Sequence, residues 1–208
     1  AEHMPWYQGN TLLGELEAFE FAETQSKAAA RFPVQFVIRP MTEAYHDFRG
    51  YAGKISSGTF QVGDAIRVLP TGQKSTIASI EKFDQKLSKA EAGDSVVITL
   101  STDIDISRGN TLVKASEEMA PQLKDFSAQV CWLDHQALSA GKTYLLQHGI
   151  HITKAKISQI TERLDVVAQT STENVDSLKL NEIGRISLRT APAIHADRYA
   201  DNPANGAF

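Results

Sequence analysis

The sequence predicts an all-β protein, two antiparallel β-barrels in tandem preceded by a short α-helix. Three observations predict it. From Arg31 onward, apolar residues recur with a period of two rather than 3.6; turn signals rich in glycine punctuate these runs; and a polar connection ending in Pro121 separates two such regions. At 208 residues the chain can bury one large or two small cores, and domain sizes of roughly 100–150 residues favour two. The expected boundaries are 1–30 for the helix and a linker, 31–115 for the first barrel and 121–208 for the second.

Asn10 or Thr11 can cap the opening helix, where Leu12, Leu13, Leu16 and Phe19 recur at helical spacing and Glu15 lies near the positive end of the dipole. Ala22 to Ala30 is small and polar, the composition of a linker. In the first β region Val34, Phe36 and Ile38 alternate with Gln35, Val37 and Arg39. Ile66 and Val68 follow Gly63-Asp64, and Val96, Ile98 and Leu100 follow Gly93-Asp94. Pro70-Thr71-Gly72 reads as a hairpin turn. In the second region Phe126, Ala128, Val130 and Trp132 share one face, Ile186 and Leu188 another. The alternation slips between Ile152 and Ile157, which suggests a bulge or turn near Thr153.

Composition excludes several classes. Apolar content of 42% and charged content of 22% are those of a soluble globular protein, and no run approaches the ~18 apolar residues of a membrane helix. The single Cys131 rules out an intrachain disulfide and no signal-peptide pattern opens the chain, so a cytoplasmic location is expected. The net charge of −4 resides in residues 1–30, with five Glu against Lys27, whereas 31–120 and 121–208 are each neutral. A chain without a clustered basic excess is not expected to bind nucleic acid through its phosphates, nor is a membrane partner expected.

Particular stretches resemble a known family. Arg49-Gly50-Tyr51-Ala52-Gly53-Lys54-Ile55, then Gly58 and Val62-Gly63-Asp64, are similar to the second domain of elongation factor Tu and other translational GTPases. Met4-Pro5-Trp6-Tyr7-Gln8-Gly9 with Leu12-Leu13, Phe32 through Pro40, Asp103 through Gly109, Leu188 through Ile194 and Ala196-Asp197-Arg198-Tyr199 resemble the GTPase subunit of bacterial sulfate adenylyltransferase. The resemblance covers essentially the whole chain. It implies barrels of the elongation factor domain II and domain III types, behind a helix left from an absent GTP-binding domain, with the second barrel truncated at its C-terminus. It also implies a parent that pairs with a smaller adenylyltransferase subunit and couples GTP hydrolysis to the formation of adenosine 5′-phosphosulfate from ATP and sulfate. The implied partners are that small subunit and the parent's own GTP-binding domain. GTP and Mg²⁺ would bind in that domain and no cofactor in this fragment. The alternatives are elongation factor barrels presenting aminoacyl-tRNA and a free-standing barrel module.

A phosphate cradle is absent from the sequence. Ala140-Gly141-Lys142-Thr143 ends like a P-loop, but Gln136 stands where its first Gly is required, and no guanine-reading Asn-Lys-x-Asp occurs. Gly141-Lys142-Thr143 is therefore read as a turn. His135, His148, His151 and His195 with Cys131 lack metal-ligand spacing, and Cys131 beside Trp132 reads as a buried, inert thiol. Asp103/Asp105 and Asp197/Asp201 read as loop aspartates rather than acid–base pairs. No catalytic, cofactor or metal residue is expected. The one candidate site is a docking surface at the densest aromatic group, Tyr45, His46, Phe48 and Tyr51 around Arg49.

Overall fold

A computed structural model describes residues 6–19, 27–40 and 48–208. Helix α1 (Leu12–Ala18) is capped by Thr11, whose Oγ1 accepts from the Gly14 amide at 3.1 Å. None of its residues is buried; Leu12, Leu13 and Leu16 are all exposed.

The first barrel runs from β1 to β10: β1 (Arg31–Pro33), β2 (Phe36–Ile38), β3 (Gly50–Lys54), β4 (Thr59–Gln61), β5 (Ala65–Leu69), β6 (Lys74–Lys82), β7 (Gln85–Leu87), β8 (Lys89–Glu91), β9 (Ser95–Leu100) and β10 (Thr111–Lys114). Its antiparallel sheet follows the order β1-β10-β5-β6-β9-β3-β2, with β7 on β6, while β4 pairs with β8. Phe32, Phe60, Ile66, Ile98 and Leu112 fill the interior. Val34, Phe36 and Ile38 do not form one inward stripe. The chain leaves β10 at Pro33 and moves to β3, where Phe36 faces Ala52, and this change of partner turns Phe36 outward to 64% exposure while Val34 stays buried.

One turn design recurs and explains the Gly-Asp pairs. The Asp64 carboxylate accepts from the Gln61 amide at 2.8 Å, and Asp94 from the Glu91 amide at 3.0 Å, each with the intervening glycine at positive φ (Gly63 +90°, Gly93 +98°). A third copy uses Asn110 and Gly109. The side chain closes the turn from within and glycine supplies the left-handed step.

Asp94 also accepts from Lys82 Nζ at 2.7 Å; this ammonium, then the Glu91 amide, holds its carboxyl below the ordinary carboxylate range. A depressed folded-state pKa contributes stability above the unfolded pKa and loses it as pH falls through the folded value. Asp94→Asn is thus expected to lower stability by roughly 0.5–1 kcal/mol near neutrality. The deficit should vanish below the ordinary carboxylate range. Thermal melts from pH 2 to 7 check this, and a deficit constant to pH 2 would remove the ion pair from the account.

The second barrel contains β11 (Gln122–Cys131), β12 (Leu138–Ser139), β13 (Thr143–His148), β14 (His151–Asp165), β15 (Thr170–Glu173), β16 (Ser177–Leu178) and β17 (Ile183–His195), then the short α2 (Pro203–Gly206). Its main sheet has the order β11-β17-β14-β13, with β15 on β14. Phe126 faces Leu188 and Ala128 faces Ile186 across β11 and β17, so these side chains point into one core with Ile157 and Ile160. The irregularities of β14 lie at Ile157/Gln159 and Ile160/Glu162, not near Thr153. Thr153 is inward and Ile152 is 65% exposed, an apolar residue on the outer face that shifts the apparent alternation. Gly141 sits in a turn at φ +81°, as read from the sequence.

Candidate functional site

Among the described residues, two places gather polar chemistry. The first is a cavity of about 720 Å³ on the first barrel, lined by Arg39, Phe48, Arg49 and Tyr51 and by the hydroxyl-bearing Ser79, Thr99, Ser101 and Thr102. It forms because β3 begins beside the end of β9, so the residues before Gly50 and after Leu100 face each other. Arg49 pairs with Asp103 and donates to Ile104 O at 3.2 Å; Arg39 Nη2 lies 4.0 Å from Asp105. Phe48 and Arg49 are half-buried at the mouth. Tyr51 is 1% exposed and donates to Ile104 O at 3.1 Å, and burial pushes its phenol pKa up, against the pull of Arg49. Its ring belongs to the barrel core, and its hydroxyl, tied to Ile104 O, helps to line the cavity. Tyr45 and His46 lie outside the described residues. Two guanidinium groups, each near a carboxylate that is more than three-quarters or close to three-quarters exposed, give the cavity cations whose present partners can be exchanged for those of another surface.

The second place is the joint between the barrels. Arg31, 1% exposed in β1, donates through Nε to Asp197 Oδ2 at 3.0 Å and through Nη2 to Asp197 Oδ1 at 2.9 Å. Asp197 Oδ2 also accepts from Asn202 Nδ2 at 3.0 Å and Asn205 Nδ2 at 2.9 Å. The remaining guanidinium bonds go to Ala30 O and Glu118 O. Ser57 Oγ donates to Ala29 O at 2.6 Å and accepts from Asn202 Nδ2 at 2.9 Å, and Glu117 accepts from the Ala30 amide at 2.6 Å. The charges are buried but paired, with four donors on one carboxylate, which is the condition for tolerating them inside.

The histidines are scattered. His148 and His151 face each other across a hairpin rather than lying on one strand; His148 Nε2 donates to Asn205 O at 2.9 Å, and His151 contacts Gly109 O of the first barrel. His195 donates to Ala120 O at 3.2 Å. Among the described residues no group of three His, Cys, Asp or Glu side chains could hold a metal ion. Cys131 is exposed, not buried, because Val130 and Trp132 take the inward positions on either side of it. No helix among the described residues is long and apolar enough to cross a membrane.

Comparison with known proteins places this geometry in a family. Residues 51–113 match elongation factor Tu domain 2, and residues 125–208 match the GTP-eEF1A C-terminal domain-like family. Sulfate adenylyltransferase subunit 1 of Sodalis glossinidius is 41% identical over 98% of this chain. The chain belongs to the sulfate adenylyltransferase subunit 1 family. That of Psychromonas ingrahamii is 38% identical over 100% of the chain, and the bifunctional enzyme CysN/CysC of Mycobacterium tuberculosis 37% over 100%. The chain spans 34–43% of the length of these family members. The fold is shared with solved structures: Sup35 complexed with GMPPNP (TM-score 0.75, 19% identity, 97% of this chain and 48% of that one) and the apo form of translation elongation factor SelB of Methanococcus maripaludis (TM-score 0.67, 18% identity, 89% and 40%).

Within this family member, the sequence pointed to Arg49 and its aromatic neighbours but missed the joint. Asp197 read as an ordinary loop aspartate. The one available signal was Arg31 placed among Ala30, Phe32 and Val34, a charge in a core-facing strand that must find a buried partner.

Proposed function

We propose that this chain is the barrel region of a sulfate adenylyltransferase GTPase subunit, which serves as docking surface and coupling element while nucleotide chemistry takes place elsewhere in the parent. The observation that carries this reading is the 41% identity over 98% of the chain. The parent would couple GTP hydrolysis to synthesis of adenosine 5′-phosphosulfate from ATP and sulfate, and it would pair with a small adenylyltransferase subunit. Coupling needs an element that binds its partner differently in two states, and a rigid barrel surface packed on a nucleotide-sensing domain meets that need. The cavity around Phe48 and Arg49 is the docking face in this reading.

The parent, purified with the small subunit, should form adenosine 5′-phosphosulfate faster when GTP is present. Phe48→Ala with Arg49→Gln is expected to weaken the contact made by this face about tenfold, the effect of losing an aromatic and an arginine anchor. A parent that binds aminoacyl-tRNA and leaves adenosine 5′-phosphosulfate synthesis unchanged would overturn the reading in favour of a translation factor. The chain alone, having no phosphate cradle, should give no heat of binding with Mg-GTP in calorimetry.

A further inference from the structure

We propose that the outer face of the second barrel, centred on Lys154 and Lys156, is a docking surface for an extended, carboxylate-rich segment of a partner protein. Strand register builds this face. Ile152, Lys154 and Lys156 alternate outward along β14 and all three are exposed. Leu145 of β13 lies opposite Lys154 and is 74% exposed. On the other side, β17 sets Ala191 opposite Lys154 and Arg189 opposite Lys156, both exposed. The surface goes beyond the proposed function: it lies on the other barrel from the Phe48–Arg49 cavity and does not depend on the role given to that cavity.

Charge is arranged differently at the two ends of β14 and β17. Toward one end, Glu162 stands opposite Arg185, with 3.8 Å between the charged groups, and Arg163 meets Glu182 at 3.2 Å. Toward the other, Lys156 is directly opposite Arg189, and like charges facing each other across a strand pair are unfavourable. Asp125 compensates Arg189 from β11, at 2.5 and 3.1 Å, so Lys154 and Lys156 have no ion-pair partner among the described residues. Exposed Lys124 adds a cation beside Asp125, at the irregularity of β11. Residues 121–208 carry as many acidic as basic side chains, so this excess is one of placement, a basic face on a neutral barrel. The apolar neighbours decide the class of partner. Lysines alone would suit a phosphate backbone equally well, but exposed Leu145 and Ile152 flank them, and protein interfaces join apolar contacts to polar borders. Residues two apart on a strand are separated by about 6.6–6.8 Å, and the carboxylates of an extended Glu-x-Glu repeat at that same spacing. A segment of pattern apolar-x-Glu-x-Glu along β14 therefore sets its apolar side chain on Ile152 and one carboxylate on each lysine. Exposed charge pairs of this kind select and steer a partner, and salt screens them.

A fluorescein-labelled peptide with tandem copies of Leu-Ser-Glu-Ser-Glu, titrated with the chain and followed by anisotropy, tests this. It should bind at low salt and be released at high salt. Lys154→Glu with Lys156→Glu should weaken binding by about tenfold, as two attractive exposed contacts become repulsive. Lys74→Glu with Lys86→Glu makes the same change of net charge at exposed positions of the first barrel and should leave binding within about twofold. All four positions are exposed, so the cores stay intact, which circular dichroism checks. Leu145→Ser with Ile152→Ser should weaken the peptide severalfold and leave the binding of a single-stranded oligothymidylate unchanged. No binding of the peptide at low salt, or binding indifferent to reversal of Lys154 and Lys156, would overturn the proposal. Oligothymidylate held more tightly than the peptide would overturn it in favour of a nucleic-acid surface.

Discussion

Phe32→Ala is expected to destabilise the first barrel by about 3–5 kcal/mol, the cost of emptying a large aromatic site in a packed interior. Phe32 is fully buried in β1 and meets Phe60 edge-to-face, with ring centroids 6.3 Å apart at 74°. The same ring also lies 3.1 Å from where a Cβ on Gly53 would stand, so it packs against bare backbone on its other side. Main chain held in a sheet cannot collapse into the vacated space, which places the change at the costly end of its range. Chemical denaturation followed by hydrogen exchange of β1, β3 and β4 measures it. A loss under 1 kcal/mol would mean that the core closes around the gap.

Gly58→Ala should cost roughly 2–5 kcal/mol, from two additive causes. At φ +69° any L side chain is strained, by about 1–2 kcal/mol in the left-handed region. In addition, the new Cβ would stand 2.4 Å from Ala30 Cα and 2.6 Å from Ala30 N, backbone atoms of the segment that supplies the interbarrel joint. Overpacking of this kind adds about 1–3 kcal/mol. Gly63→Ala is the control: φ is +90° but nothing lies within 4 Å of its Cβ, so only the backbone cost, about 1–2 kcal/mol, should appear. Equal melting of the two variants would show that the approach of Ala30 relaxes freely.

The glycines show how far sequence reading reaches. Gly63 and Gly93 were legible as turns because each precedes an Asp that closes the loop locally; Gly109, ahead of Asn110, proved to use the same device. Gly53 and Gly58 carry no such mark. Their constraint comes from Pro33 O and from Ala30, residues brought close only when β1 has found its place. The candidate docking face divides the same way. Phe48, Arg49 and Tyr51 are close in sequence and were read as one aromatic cluster, but Tyr51 lies within β3 and is buried in the core, whereas Phe48 and Arg49 precede that strand and stand at the cavity mouth.

By itself the sequence determined the class, the tandem arrangement and the family, because period-two patterning, turn chemistry and contiguous motifs are local properties that survive without coordinates. It also placed a turn at Gly141, just ahead of Thr143, which opens β13. Only the tertiary structure decided that Phe36 and Ile152 face outward, that Cys131 is exposed, and that Asp197 meets Arg31, 166 residues earlier in the chain. Which neighbour a strand takes, and which buried charge finds which partner, depends on closing long loops through space, and no spacing within the chain encodes the angle at which two finished barrels meet.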